Sequence, residues 1–143
     1  MTNIWRFSLV LAFSIILDQV LKGIAQGFLD HGTTVELLPR LLFGSFSVAK
    51  VSNGVNSLLI FFTVIVSFLL LRSIVLNRNM SFMAGMARTF ILSYLCSNFL
   101  DRMGNEYIVN YLSYFDMNFS LSLAMLFFGI VILFLMSFRE RFA

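Results

Sequence analysis

Long blocks of apolar residues, separated by short polar clusters, run through this chain. An α-helix needs about 20 such residues to cross the hydrocarbon of a bilayer. The pattern predicts four spanning helices, at 4–24, 55–75, 83–100 and 119–138, with extracytoplasmic segments at 25–54 and 101–118. The expected fold is an all-α membrane protein, a single integral domain over 1–143 with four transmembrane helices and a small extracytoplasmic β element. That element comes from Phe28 to Asn53, which holds turn residues (Asp30, His31, Gly32, Gly44), Pro39 and no run long enough to span. Phe43 to Val51 alternates around Phe46, Val48 and Val51 and reads as a short strand, although a plain loop fits equally well. Asn53-Gly54 is a turn signal ahead of the second helix. Asn77 to Ala87 reads as a short connection that overlaps the start of the third. Tyr107, Tyr111 and Tyr114 suit an interfacial aromatic belt.

Composition agrees with a membrane protein. Of 143 residues, 59% are hydrophobic and 12% charged, and the mean hydropathy is +0.92. The first block follows a short basic start and precedes Ala25-Gln26-Gly27, so it also resembles a cleavable signal peptide. A retained helix is preferred, because Asp18 and Lys22 interrupt the block before that site.

Charge orients the chain. Arg6, Arg72, Arg78, Arg88, Arg139 and Arg141, with Glu140, fall at one set of span ends and net +5. Lys22, Arg40, Lys50 and Arg102 fall at the other with Asp18, Asp30, Glu36, Asp101, Glu106 and Asp116, and net −2. The positive-inside rule makes the first set cytoplasmic and places both termini there. The overall +3 is not gathered as a nucleic-acid surface would be. The single Cys96 excludes an internal disulfide and reads as a small core residue; with the single His31 it cannot supply a zinc ligand set. No cofactor is expected, and a Ser-His-Asp triad through His31 has no support around it.

The chemistry-bearing residues interrupt the apolar blocks. Asp18 and Lys22, four apart, can pair along one helix face; there they either face a polar cavity or snorkel to the surface, and the motif alone slightly favours snorkelling. Ser97-Asn98-Phe99-Leu100-Asp101-Arg102 follows the apolar run Thr89 to Leu95. Asn98 and Asp101 share a face, whereas Asp101 and Arg102 do not, so each charge needs a partner elsewhere. An interfacial anchor is the plainer reading of the same residues.

In order and spacing these features resemble lipoprotein signal peptidase (signal peptidase II) over nearly the whole chain. Asp18-Gln19-x-x-Lys22 is similar to that family's Asp-x-x-x-Lys. Gly54 stands at the Gly of Asn-x-Gly-x-x-Phe, with Ser52 in place of its Asn. Ser97-Asn98-x-x-Asp101-Arg102 resembles Gly-Asn-x-x-Asp-Arg, with Ser97 for the Gly, and Tyr107-Ile108-Val109-Asn110 resembles Phe-Val-Val-Asp. The resemblance implies aspartic proteolysis, in which two carboxylates at the extracytoplasmic surface share a proton and activate water. The first of them falls at Asn110. The second belongs to Phe-Asn-x-Ala-Asp, best matched by Leu121 to Met125, which puts Ser122 at the Asn and Met125 at the Asp. An amide and a thioether cannot do this work. Both catalytic positions are therefore lost, while the supporting set implied by the resemblance remains: Asp18, Lys22, Gly54, Asn98, Asp101, Arg102.

Three functions follow. The first is an inactive peptidase that binds membrane lipid and a lipid-modified lipoprotein, or another protein's transmembrane helix, in the former groove, with no nucleic acid or metal, in the bacterial cytoplasmic (inner) membrane. The second is an active prolipoprotein endopeptidase with relocated carboxylates (Asp101, Asp116 or, more weakly, Glu106), sensitive to globomycin. The third is a structural subunit of an envelope assembly.

Overall fold

The computed structural model describes residues 4–30, 34–47, 52–77, 80–105, 107–115 and 117–142, with the side chains of 28–30, 47 and 140–142 left aside. The expectations placed on His31, Lys50, Arg78, Glu106, Asp116 and the side chains of Asp30, Glu140 and Arg141 lie outside that description. The elements run α1 (Ile4–Asp30), β1 (Val35–Leu38), β2 (Leu41–Ser47), α2 (Asn53–Leu76), α3 (Phe82–Asn105), β3 (Val109–Tyr114), β4 (Met117–Phe119) and α4 (Leu121–Phe142).

Three helices are long and apolar enough to cross a membrane: Ile4–Gly27, Asn53–Leu76 and Leu121–Arg139. They expose large apolar side chains around most of their circumference, as lipid-facing helices do. α3 was expected to be a fourth span of the same kind, but it is not clearly apolar enough. The reason is its position. α3 packs against α1, α2 and α4, so its small and polar positions meet protein rather than solvent or lipid. Gly85, Thr89, Ser93, Ser97 and Asp101 recur every four residues and are buried, forming a stripe of small and polar residues. A Cβ at Gly85 would collide with the ring of Phe7 on α1, and one at Gly129 of α4 would come 2.8 Å from the Ala87 carbonyl oxygen.

The sheet is larger than one strand. Two hairpins form an antiparallel sheet in the order β1-β2-β3-β4. β2 covers part of the expected strand but begins at Leu41, and a register shift between Phe43 and Phe46 breaks its alternation. Segment 101–118 holds a second hairpin where only a connection was expected, and α3 first continues to Asn105. α1 likewise runs past 24 to Asp30 and packs on β2 and β3. Asn53-Gly54 is not a free turn. It opens α2, with Ser52 as N-cap and the Asn56 N–H donating to the Ser52 carbonyl at 2.9 Å. Asn and Gly favour helix starts as well as turns, so the dipeptide marks either.

Gly129→Ala is expected to force α3 and α4 apart and to lower stability by about 1–3 kcal/mol, read as a drop in thermal unfolding temperature in detergent. An unchanged melt would mean that the helices part without cost.

Candidate functional site

Four elements meet where the helices join the sheet. From α1 come Asp18, Gln19 and Lys22, and from α3 come Ser97 and Asp101. β3 adds Val109 and Tyr111, and the start of α4 adds Leu121 and Ser122. Asp18, Lys22, Ser97, Asp101 and Ser122 are each 2% exposed or less. Lys22 Nζ lies 2.7 Å from Asp18 Oδ2 and 2.7 Å from Asp101 Oδ2, and it donates to Ser97 Oγ at 2.9 Å. Those contacts use all three donors of an ammonium group. Snorkelling of Lys22 is thereby overturned: the head group is turned into the protein, where two carboxylates compensate its desolvation.

The carboxylates are equally engaged. Asp18 accepts from Lys22, from the Ser97 hydroxyl, from Tyr111 Oη at 3.0 Å and from the Ser122 N–H at 3.1 Å. Asp101 accepts from Lys22, from Gln19 Nε2 at 3.1 Å and from the Val109 N–H at 3.2 Å. Ser97, which replaces the expected glycine, accepts from Lys22 and Gln19 while donating to Asp18, and so bridges α1 and α3.

Tyr111 was read as part of an interfacial belt. It is instead 1% exposed, its hydroxyl donating to Asp18 and accepting from the Leu121 N–H at 2.8 Å. Burial, and then the neighbouring Asp18 charge, push its phenol up from the ordinary value, which keeps the donating proton in place. Val109, Asn110 and Tyr111 are all buried in succession, so neither burial nor polarity alternates along β3, and no local signal marked this strand or this residue.

The start of α4 is closed in the same way. The N–H groups of Leu121, Ser122 and Leu123 go to Tyr111, Asp18 and Ser120 Oγ, so an anionic side chain already occupies the positive end of the helix dipole.

No protein-family profile matches the chain, and no curated protein does. Several chains of solved structures do, two of them as follows. One is a bacterial membrane enzyme determined by the in meso method at 2.3 Å resolution; the TM-score is 0.79 and the identity 18%, with 98% of this chain and 92% of that one covered. The other, a bacterial membrane enzyme determined by the same method at 1.9 Å, has a TM-score of 0.76 and 18% identity, with 94% and 93% covered. This chain shares their fold.

Within that fold the expected residues separate into groups. Asp18, Lys22, Asp101 and Ser122 form the cluster. Arg102 lies apart from it and donates to Asn56 Oδ1 at 3.0 Å, tying α3 to α2. Asp101 and Arg102 thus find separate partners. Asn98 is 6% exposed, and its Oδ1 is buried with no hydrogen-bond partner. Gly54 is exposed in the first turn of α2, with nothing near enough to require a glycine. Asn110 is 7% exposed, and its amide donates to the Asn118 carbonyl at 3.3 Å. Met125 is half-buried on α4. Among the described residues no group of three His, Cys, Asp or Glu lies together to hold a metal ion.

Lys22→Met leaves two buried carboxylates facing each other and is expected to cost about 3–5 kcal/mol of stability. Adding Asp101→Asn should recover part of that loss. Thermal unfolding of the single and double variants checks both; equal stability of wild type and Lys22→Met would remove the cluster from the account of what holds the sheet to the helices.

Proposed function

We propose that this protein is a signal peptidase II-like protein of the bacterial cytoplasmic membrane that no longer cleaves and instead binds a lipid-modified lipoprotein segment in the former substrate groove. In this reading α3 is the fourth span, the arginine-rich end is cytoplasmic, and the cluster supports a groove rather than performing chemistry.

The observation that carries the reading is the state of the carboxylates. Asp18 and Asp101 are buried, share one lysine and accept hydrogen bonds on both oxygens. Neither is a free base with room for a water, which a relocated acid pair through Asp101 would need. Glu36, the other carboxylate whose side chain is described, is exposed and accepts from the Arg40 N–H at 3.0 Å. At the position matching the first catalytic aspartate, Asn110 gives one of its two amide protons to a carbonyl, a bond that an ionised carboxylate cannot make.

The groove has support of its own. α2 packs on α3, meets α1 where Ile74 joins Phe7 in a small apolar core, and makes at most passing contact with α4, so a cleft stays open over α3 on that side. An apolar cavity of about 200 Å³ lies there, lined by Thr63, Val64, Ser67, Cys96 and Phe99.

The test is a cleavage and binding assay in lipid, with a diacylglyceryl-modified prolipoprotein read by mass and an active peptidase as control. Bound, uncleaved substrate is the expected result. Release of the signal peptide by the wild type would overturn the reading, and binding of an unlipidated transmembrane helix alone would reassign the ligand. Asn110→Asp with Met125→Asp is expected to restore the acid pair, and cleavage by that variant would show a groove still able to present substrate.

Asn110→Asp alone should be less stable at pH 7 than at pH 5. A carboxyl facing the Asn118 carbonyl keeps its proton more tightly in the folded chain than in the unfolded one. Stability is then full below the unfolded value and falls as pH rises through the folded one. A pH-independent melt for this variant would show that the residue turns away from the carbonyl.

A further inference from the structure

The arginine-rich end of the bundle carries charge that no described carboxylate neutralises. Arg88 is half-buried between α3 and α2, where its Nη1 donates to Ser73 Oγ at 2.9 Å and to Met80 Sδ at 2.7 Å. Both acceptors are neutral, whereas a guanidinium keeps its charge and carries five donors. Arg72, on the preceding residue of α2, is exposed and has no carboxylate or hydrogen-bond partner among the described residues. A partly buried cation with no anion beside it leaves an electrostatic cost that a bound anion removes.

Space for that anion lies beside Arg72 and beside Ser73, the hydroxyl that Arg88 contacts. An open, shallow cavity of about 500 Å³ along one face of α2 is lined by Leu69, Arg72, Ser73, Leu76 and Asn77. Its polar side holds Arg72, the Asn77 amide and Ser73, whose hydroxyl accepts from Arg88 and keeps its own proton to donate. Its apolar side, Leu69 and Leu76, continues into the exposed face of α2 at Phe68 and Ile65. The carbonyl end of α2 repels an anion placed on the helix axis. The anion must therefore sit beside Arg72, a turn before the helix ends, rather than beyond Asn77.

We propose that this cavity binds the phosphate headgroup of an anionic phospholipid from the leaflet at the arginine-rich end, with its acyl chains running past Leu69 towards Ile65. Arg72 and Ser73 contact the phosphate, and Arg88 acts on it through Ser73 and through its field. This binding is independent of any peptide held in the groove. A diffuse attraction of the whole basic end would weigh Arg139 as heavily as Arg72. Arg139 is exposed at the same end and does not line the cavity.

The test uses the full-length protein in neutral detergent, titrated with phosphatidylglycerol, phosphatidylcholine or inorganic phosphate and read by native mass spectrometry and thermal unfolding. Phosphatidylglycerol should remain bound and raise the unfolding temperature, whereas phosphatidylcholine should do neither. Arg72→Gln, at an exposed position that does not threaten folding, should weaken phosphatidylglycerol binding about fivefold, and Arg139→Gln should change it far less. Equal effects of the two variants, or equal binding of the two lipids, would overturn the site. Stabilisation by inorganic phosphate alone, matching the lipid and lost in Arg72→Gln, would overturn the lipid as its source and leave a free anion in its place.

Discussion

Lys22 sits between two carboxylates with every one of its N–H donors taken, and the sheet end of the molecule is assembled around that arrangement. One carboxylate, Asp18, reaches outward to Tyr111 on β3 and to the first turn of α4. The other, Asp101, reaches to the backbone where β3 begins. Each bond alone is worth little, since folding exchanges it for bonds to water. Together they satisfy groups that would be very costly to bury unpaired, so they must form together or not at all. The cluster therefore dictates where β3 starts and where α4 begins, and any groove between α4 and α2 inherits its shape from those two points.

This cooperation has a chemical consequence. A carboxylate that holds four partners, as Asp18 does, is a structural anion. It stabilises the start of α4 and keeps the Tyr111 phenol protonated, and it has no spare lone pair for a reacting water. Asn110 lies on the neighbouring position of the same strand and gives an amide proton to the Asn118 carbonyl. The described carboxylates of this site serve the fold, and the proposal of binding rather than cleavage rests on that.

α3 reconciles the polar cluster with a membrane setting. Its stripe of small residues brings α1 close enough for the ion pairs to form, and Ala87 opposite Gly129 lets α4 approach the other side. Surrounded in this way, α3 need not be apolar, because its polar groups meet protein. α1, α2 and α4 present the apolar surface instead. At the opposite end a small apolar core of Phe7, Ile74 and Leu92 holds the helices together, and Arg88 meets only neutral acceptors among the described residues.

Much of this was legible before any coordinates. Blocks of apolar residues must be helices in lipid, because the backbone has no other way to satisfy itself there. Charges interrupting such blocks, at Asp18, Lys22 and Asp101, had to be paired or wetted, and Asp101 and Arg102 had to look in different directions because adjacent helical residues do. Which outcome held for Lys22 was not legible. Snorkelling and burial demand the same residue at the same place, and only Asp101, 79 positions away, decides between them. The two hairpins were hidden for a similar reason: their pairing joins residues around 41–47 to residues around 109–114, and a register shift blurs the alternation that would announce it. Tyr111 looked like an interfacial tyrosine because nothing in its own neighbourhood reveals an acceptor 93 residues away. Local periodicity is a property of the chain and can be read from it. Which polar group meets which is a property of packing between distant segments, and it exists only once the helices and the sheet have closed on one another.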